Sequence, residues 1–248
     1  MSGIQVLLVA GTHGNELNAP WLFHQWKKNS KLIQTNGIKV LKEIGNPEAI
    51  KRCSRYLDRD LNRSFKTELL SDFSSNQYEV KRAQELIFNY GPEGKKPCQI
   101  ALDFHSTTAA MGCSLVVYGR RSNDLAFAAL IQHRLGLPIY LHEGDLSQKG
   151  FLVESWPCGL VVEIGPVPQG LLHSKVINQT KLTLEVSLEE ISKVQNGTEV
   201  FPQKLIIYRH LESIDFPRDI NNYPKAIIHE KVQNSDWIPL KKEQPLFI

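Results

Sequence analysis

His13 and Glu16 stand three residues apart in the glycine-rich segment Gly11-Thr12-His13-Gly14-Asn15-Glu16. An imidazole and a carboxylate at that spacing can grip one metal ion, because glycine at 11 and 14 lets the backbone turn tightly enough to aim both at a common point. Far along the chain, Asp103-Phe104-His105 offers a second imidazole, with a carboxylate two positions earlier. In an extended segment those two side chains share a face, and such a carboxylate can orient the ring of a liganding histidine. Two imidazoles and a glutamate, with a fourth position for water, make a common catalytic zinc site. These residues therefore point to a zinc hydrolase. The plainer alternative makes each histidine a hydrogen-bonded polar residue at a strand end.

Two further segments could carry chemistry. Glu163 interrupts the apolar stretch Leu160-Val161-Val162-Glu163-Ile164. Glutamate is almost never buried unpaired, and burial would raise its pKa toward the range useful for a general base or acid. A buried ion pair with an arginine is the structural alternative. Residues 55–63, Arg55-Tyr56-Leu57-Asp58-Arg59-Asp60-Leu61-Asn62-Arg63, are too charged for a core. They read either as a solvated loop, the preferred reading for Lys51, Arg52 and Arg59, or as an anion pocket in which a guanidinium fork meets a carboxylate.

The elements that must position these groups follow from periodicity. Apolar runs at 4–10, 38–44, 99–104, 114–118, 137–141 and 160–164 predict short buried strands. Segments 17–28, 75–90, 124–135 and about 172–195 carry helical patterning; Gly136 ends the third, and Gly197 suits a left-handed cap on the last. Asn46-Pro47 reads as a turn, and 54–65 as a loop. Strand–helix alternation predicts a mixed α/β sheet flanked by helices, whose ligands collect at the carboxyl ends of strands. His13, His105 and Glu163 all fall there. After Phe201-Pro202 the texture changes: 205–210, 226–229 and 237–240 are strand candidates without an intervening helix. This predicts a catalytic unit over 1–198 and a small β-rich unit over 199–248.

Composition narrows the class. Of 248 residues, 42% are hydrophobic and 22% charged, and the net charge is +3, ordinary for a globular protein and too mild to argue for nucleic acid or membrane. No apolar run approaches the ~20 residues that span a bilayer. The start shows no signal peptide, so Cys53, Cys98, Cys113 and Cys158 are expected as reduced thiols and the cytoplasm as the compartment. No nucleophile elbow, no His-Glu-x-x-His helix, no phosphate-binding loop and no dinucleotide fingerprint is present.

Taken together, the blocks Gly11-Thr12-His13-Gly14-Asn15-Glu16, Asp58-Arg59-Asp60-Leu61-Asn62-Arg63, Asp103-Phe104-His105-Ser106-Thr107-Thr108 and Glu163-Ile164-Gly165-Pro166 resemble those of the aspartoacylase and succinylglutamate desuccinylase family of zinc hydrolases. The resemblance implies a zinc-carboxypeptidase-like fold and one Zn2+ per subunit on His13, Glu16 and His105. It further implies Glu163 as the base, Arg55 as the group that polarises the amide carbonyl, and Asn62 and Arg63 as carboxylate binders. The implied reaction is hydrolysis of N-acetyl-L-aspartate to acetate and L-aspartate, on a small-molecule substrate, with a homo-oligomer left open. Two departures bear on it. The stretch 147–152 has no arginine to meet an aspartate side chain, only Lys149, and the chain stops at Ile248, where family members continue toward a substrate-contacting tyrosine. Deacylation of N-acetylated aromatic amino acids, or a non-catalytic metal- or metabolite-binding role, are the alternatives.

Overall fold

The computed structural model describes residues 3–143 and 148–248. Its strands are β1 (Gln5–Ala10), β2 (Lys39–Ile44), β3 (Ile100–Ser106), β4 (Cys113–Tyr118), β5 (Ile139–His142), β6 (Cys158–Ile164) and β7 (Ile207–Arg209). They form one sheet in the order β2-β1-β3-β6-β4-β5-β7. The first four of these run parallel, β4 pairs with β6 antiparallel, and β5 and β7 run parallel to β4. The sheet is thus two parallel blocks of opposite direction, joined between β6 and β4. Strand β1 and nearly all of β3 are buried, as continuous apolar runs require when helices cover both faces.

The helices are α1 (Asn18–Lys28), α2 (Pro47–Lys51), α3 (Thr67–Leu70), α4 (Tyr78–Tyr90), α5 (Ser122–Leu135) and α6 (Ser174–Asn196). Strand alternation divides the core in two. Val6, Leu8, Leu102, Phe104, Leu160 and Val162 face α1, α5 and α6, meeting Phe23, Ile131 and Leu188. Leu7, Val9, Ala101 and Val161 face the other way, onto Ala83 and Leu86 of α4 and onto Trp156. Asp103 and His105 continue the Ala101 face of β3, and Glu163 the Val161 face of β6. The chemistry-bearing side chains therefore share one side of the sheet.

The four long helices and six of the strands coincide with the expected segments to within a few residues, and Gly136 and Gly197 take left-handed caps at φ 65° and 66°. Asn46-Pro47 does more than turn the chain. Asn46 accepts from the Ala49 N–H and Pro47 opens α2, the arrangement in which proline's missing N–H costs nothing. All four cysteines are free thiols.

The tail departs from expectation. Only the 205–210 candidate yields a strand, β7, and it extends the main sheet beside β5. Segment 226–229 makes a single bridge, Ile228 to Phe247. Segment 237–240 pairs with no strand: Trp237 sits at φ 65°, which ends extension, and Pro239 has no N–H to give a ladder. Trp237 instead donates Nε1–H to the Met111 carbonyl at 2.8 Å. Among the described residues, no helix is long and apolar enough to cross a membrane.

Candidate metal centre and active site

Strand β1 delivers the chain into the first loop, where Gly11 turns it at φ 69°. Gly14 lies so close to α2 that a Cβ would sit 2.1 Å from the Ala49 carbonyl carbon, so only glycine fits. This close approach brings His13 and Glu16 back over the end of β3. One donor atom each from His13, Glu16 and His105 lies within 4.8 Å of the others, and all three residues are buried.

The arrangement is directional. His13 Nδ1 stands 2.7 Å from Glu16 Oε1, and His105 Nδ1 stands 3.0 Å from Glu16 Oε2. Each ring turns its other nitrogen to a second carboxylate: His105 Nε2 to Asp103 at 2.7 Å, His13 Nε2 to Asp60 at 3.0 Å. Asp103 is held in turn by the Thr12 hydroxyl at 2.7 Å. The expected Asp103–His105 tie is therefore present. Asp60 and Thr12 escaped sequence reasoning, because a partner from another loop leaves no local spacing to read.

Electrostatics follow from this crowding. Burial opposes the imidazolium form of His105, but Asp103 and Glu16 outweigh it and raise its pKa well above the ordinary value. Burial likewise opposes charge on His13, and Asp60 and Glu16 reverse the sign. Glu16 and Asp60, despite burial, are held well below the usual carboxylate range by the imidazoles, with Arg55 adding to Asp60. The imidazole protons occupy the charge that a divalent cation would replace, since metal binding to histidine releases protons. Two imidazole nitrogens, one carboxylate, and a carboxylate behind each ring are a donor set that fits a metal ion.

Glu163 stands in register with His105 on β3 and with Ser114 on β4. Burial, reinforced by Glu16 and Asp103 and opposed by the imidazoles, pushes its pKa up to about 7. Among the described residues no arginine pairs with it, so the ion-pair alternative finds no partner. Arg55 is half-exposed and meets Asp60 at 3.0 Å, with Glu16 at 3.9 Å.

Asn62 and Arg63 lie in a tight turn, Leu61–Arg63, inside the segment expected to be loop. Asn62 accepts from the Leu152 N–H at 2.8 Å. Arg63 lies over the Phe151 ring at 4.0 Å and donates to Gln148 at 3.0 Å. Phe151 stacks on Tyr118 at 3.6 Å, and His142, Tyr140 and His210 prolong this aromatic row. In the stretch 147–152, Ser147 lies outside the described residues, and Lys149 is exposed. Of that stretch, Gln148 and Phe151 are the side chains that meet Arg63, Gln148 by a hydrogen bond and Phe151 by its ring.

A mixed α/β sheet with a histidine–glutamate–histidine cluster at its strand ends defines the zinc-carboxypeptidase-like class of fold. The comparisons agree. The family described as succinylglutamate desuccinylase/aspartoacylase catalytic domain matches residues 2–191. Two probable aspartoacylases from strains of Prochlorococcus marinus are 62% and 58% identical, covering 100% of this chain and 80% and 82% of their own length. The crystal structure of murine aminoacylase 3 superposes with a TM-score of 0.89 at 31% identity, over 98% of this chain and 82% of that one. The chain belongs to the succinylglutamate desuccinylase/aspartoacylase family.

Proposed function

We propose that this protein is a zinc-dependent amidohydrolase that deacylates an N-acyl amino acid, with N-acetyl-L-aspartate as its substrate. The observation that carries the reading is the convergence of both Nδ1 atoms on Glu16, with each ring braced from behind by a carboxylate. His13, Glu16 and His105 would hold Zn2+, which supplies Lewis acidity and a water acidified toward a pKa of ~7.

The chain's own groups divide the remaining work. Glu163, with a pKa near 7, takes a proton from the attacking water and later gives it to the leaving nitrogen, since a base matched to the working pH does both. Arg55 donates to the amide oxygen as negative charge develops there. Asn62 and Arg63 hold the substrate carboxylate, Arg63 with its guanidinium resting on the Phe151 ring. Residues 1–198 form the catalytic unit, and 199–248 an appendage docked through β7 and Trp237. The cell compartment proposed is the cytoplasm.

A second reading, favoured by the aromatic row and by Gln148 at Arg63, is the same chemistry on N-acetylated aromatic amino acids. Comparing kcat/KM of zinc-loaded protein for N-acetyl-L-aspartate and N-acetyl-L-tyrosine decides between them. Glu163→Gln should bind zinc and keep the fold, yet lose at least about a hundredfold in turnover. Near-normal turnover would remove Glu163 from the chemistry, and no turnover of any N-acyl amino acid by the wild type would sink the enzyme reading.

A further inference from the structure

The first turn of α4 carries Glu79, a fully buried carboxylate that none of the steps above uses. Oε1 accepts from Asn46 Nδ2 at 2.9 Å and from the Leu57 N–H at 2.7 Å. Oε2 accepts from the Asp58 and Arg59 N–H groups at 3.1 and 3.2 Å. Three successive backbone N–H groups closing on one anion form a nest, a concavity with fixed positive polarity. The tie is reciprocal, because Asp58 accepts from the Tyr78 N–H at the start of α4 at 2.7 Å.

Both arms of this junction lead to the reactive groups. In one direction the chain runs from Arg59 into Asp60, which braces His13 and Arg55, and on to Asn62 and Arg63. In the other, Asn46 donates its N–H to the Gly11 carbonyl at 2.9 Å, at the root of the loop that carries His13 and Glu16. The same two loops also meet directly, Gly14 N–H to the Arg55 carbonyl at 3.1 Å. An apolar side chain would fill the place of Glu79 without the desolvation that burying a carboxylate entails. What it could not do is hold three consecutive amides in one curve.

We propose that Glu79 is a positioning residue that sets the shape of loop 55–63 and its distance from the Gly11–Glu16 loop. Through Asp60 it acts on metal affinity, and through Arg63 on substrate affinity. The second effect rests on the deacylase reading; the first does not. Every partner of Glu79 is a donor, so a carboxamide of the same size would turn an NH2 toward at least one N–H and spread the curve.

The test uses the full chain with Glu79→Gln and the milder Glu79→Asp. Zinc affinity is measured by competition with a chromophoric chelator. KM and kcat are measured for N-acetyl-L-aspartate, or for N-acetyl-L-tyrosine if that is the better substrate. Hydrogen exchange is followed at the amides of 57–59 and at those of β1 and β3. Glu79→Gln should weaken zinc binding by about tenfold, as loss of the groups that orient metal ligands does, and raise KM by a similar factor. Exchange should quicken at 57–59 while β1 and β3 stay protected.

A folded Glu79→Gln whose zinc affinity and KM both stay within about twofold of wild type overturns the proposal, because those are the quantities a positioning role must move. So does quickened exchange throughout the sheet with unchanged affinities, which is the signature of a merely structural residue. If Glu79→Gln does not fold, Glu79→Asp is read on the same measurements, with an intermediate loss expected and wild-type values overturning the idea. Should the wild type turn over no N-acyl amino acid, the deacylase reading falls while the zinc and exchange measurements still decide the role of Glu79.

Discussion

Glu163 shows how one side chain can be tuned by its surroundings alone. Its pKa near 7 arises first from burial and then from two neighbouring carboxylates, against the pull of the imidazoles. The linkage has a definite sign. A carboxyl whose folded pKa exceeds its ordinary value of 4.5 costs the folded state nothing below that value; the cost builds as pH rises from 4.5 to about 7 and is constant above it. Chelator-treated Glu163→Gln should therefore gain stability relative to chelator-treated wild type as pH rises from about 5 to 8. Urea midpoints at the two pH values measure it, and a difference that stays constant or shrinks would show that Glu163 is not desolvated. Asp60 teaches a complementary lesson. It lies in a charged block that reads equally well as solvated loop, and only contact with His13 and Arg55 gives it a task.

At the level of elements, what aligns the donors is the turn after β1 and its contact with α2. Gly14 presses against the Ala49 backbone, and the added methyl of Gly14→Ala would have to push apart two segments of main chain. Overpacking of this kind costs about 1–3 kcal/mol. The displacement falls on the loop carrying His13 and Glu16, so zinc affinity should drop along with the melting temperature. Chelator competition and thermal melting of Gly14→Ala check both, and a variant with wild-type values would mean the loop has slack that the packing denies. The strands were legible because continuous apolar runs have few other solutions in a chain of this length. The tail was less so: 226–229 and 237–240 have strand-like composition, but Pro239 and the left-handed Trp237 deny 237–240 a ladder, and 226–229 makes only its bridge to Phe247.

Across the whole molecule, the cluster gathers residues from the loop after β1, from β3 and β6, and from the loop between α2 and α3. A cation bound by His13, Glu16 and His105 ties the loop after β1 to β3 in the folded state and has little to hold in the unfolded one. At a free zinc concentration about a thousandfold above Kd, the stabilisation is about 4 kcal/mol, which for a chain of this size is roughly 10 °C in Tm. Thermal melts in zinc and in chelator should differ by that order, and coincident curves would refute a metal site at His13, Glu16 and His105.

The residue types and their short spacings already singled out the residues that cluster in the fold: histidine and glutamate around glycine, an aspartate two before a histidine, a glutamate within an apolar strand. They also implied an α/β sheet, since local periodicity follows from which faces must be buried. What the linear order could not supply were the reversal of strand direction between β6 and β4, the bracing of His13 by Asp60, and the burial of Glu79 beneath three amides. Each joins segments far apart in the chain, and such pairings are decided by packing in three dimensions, not by any preference carried in neighbouring residues.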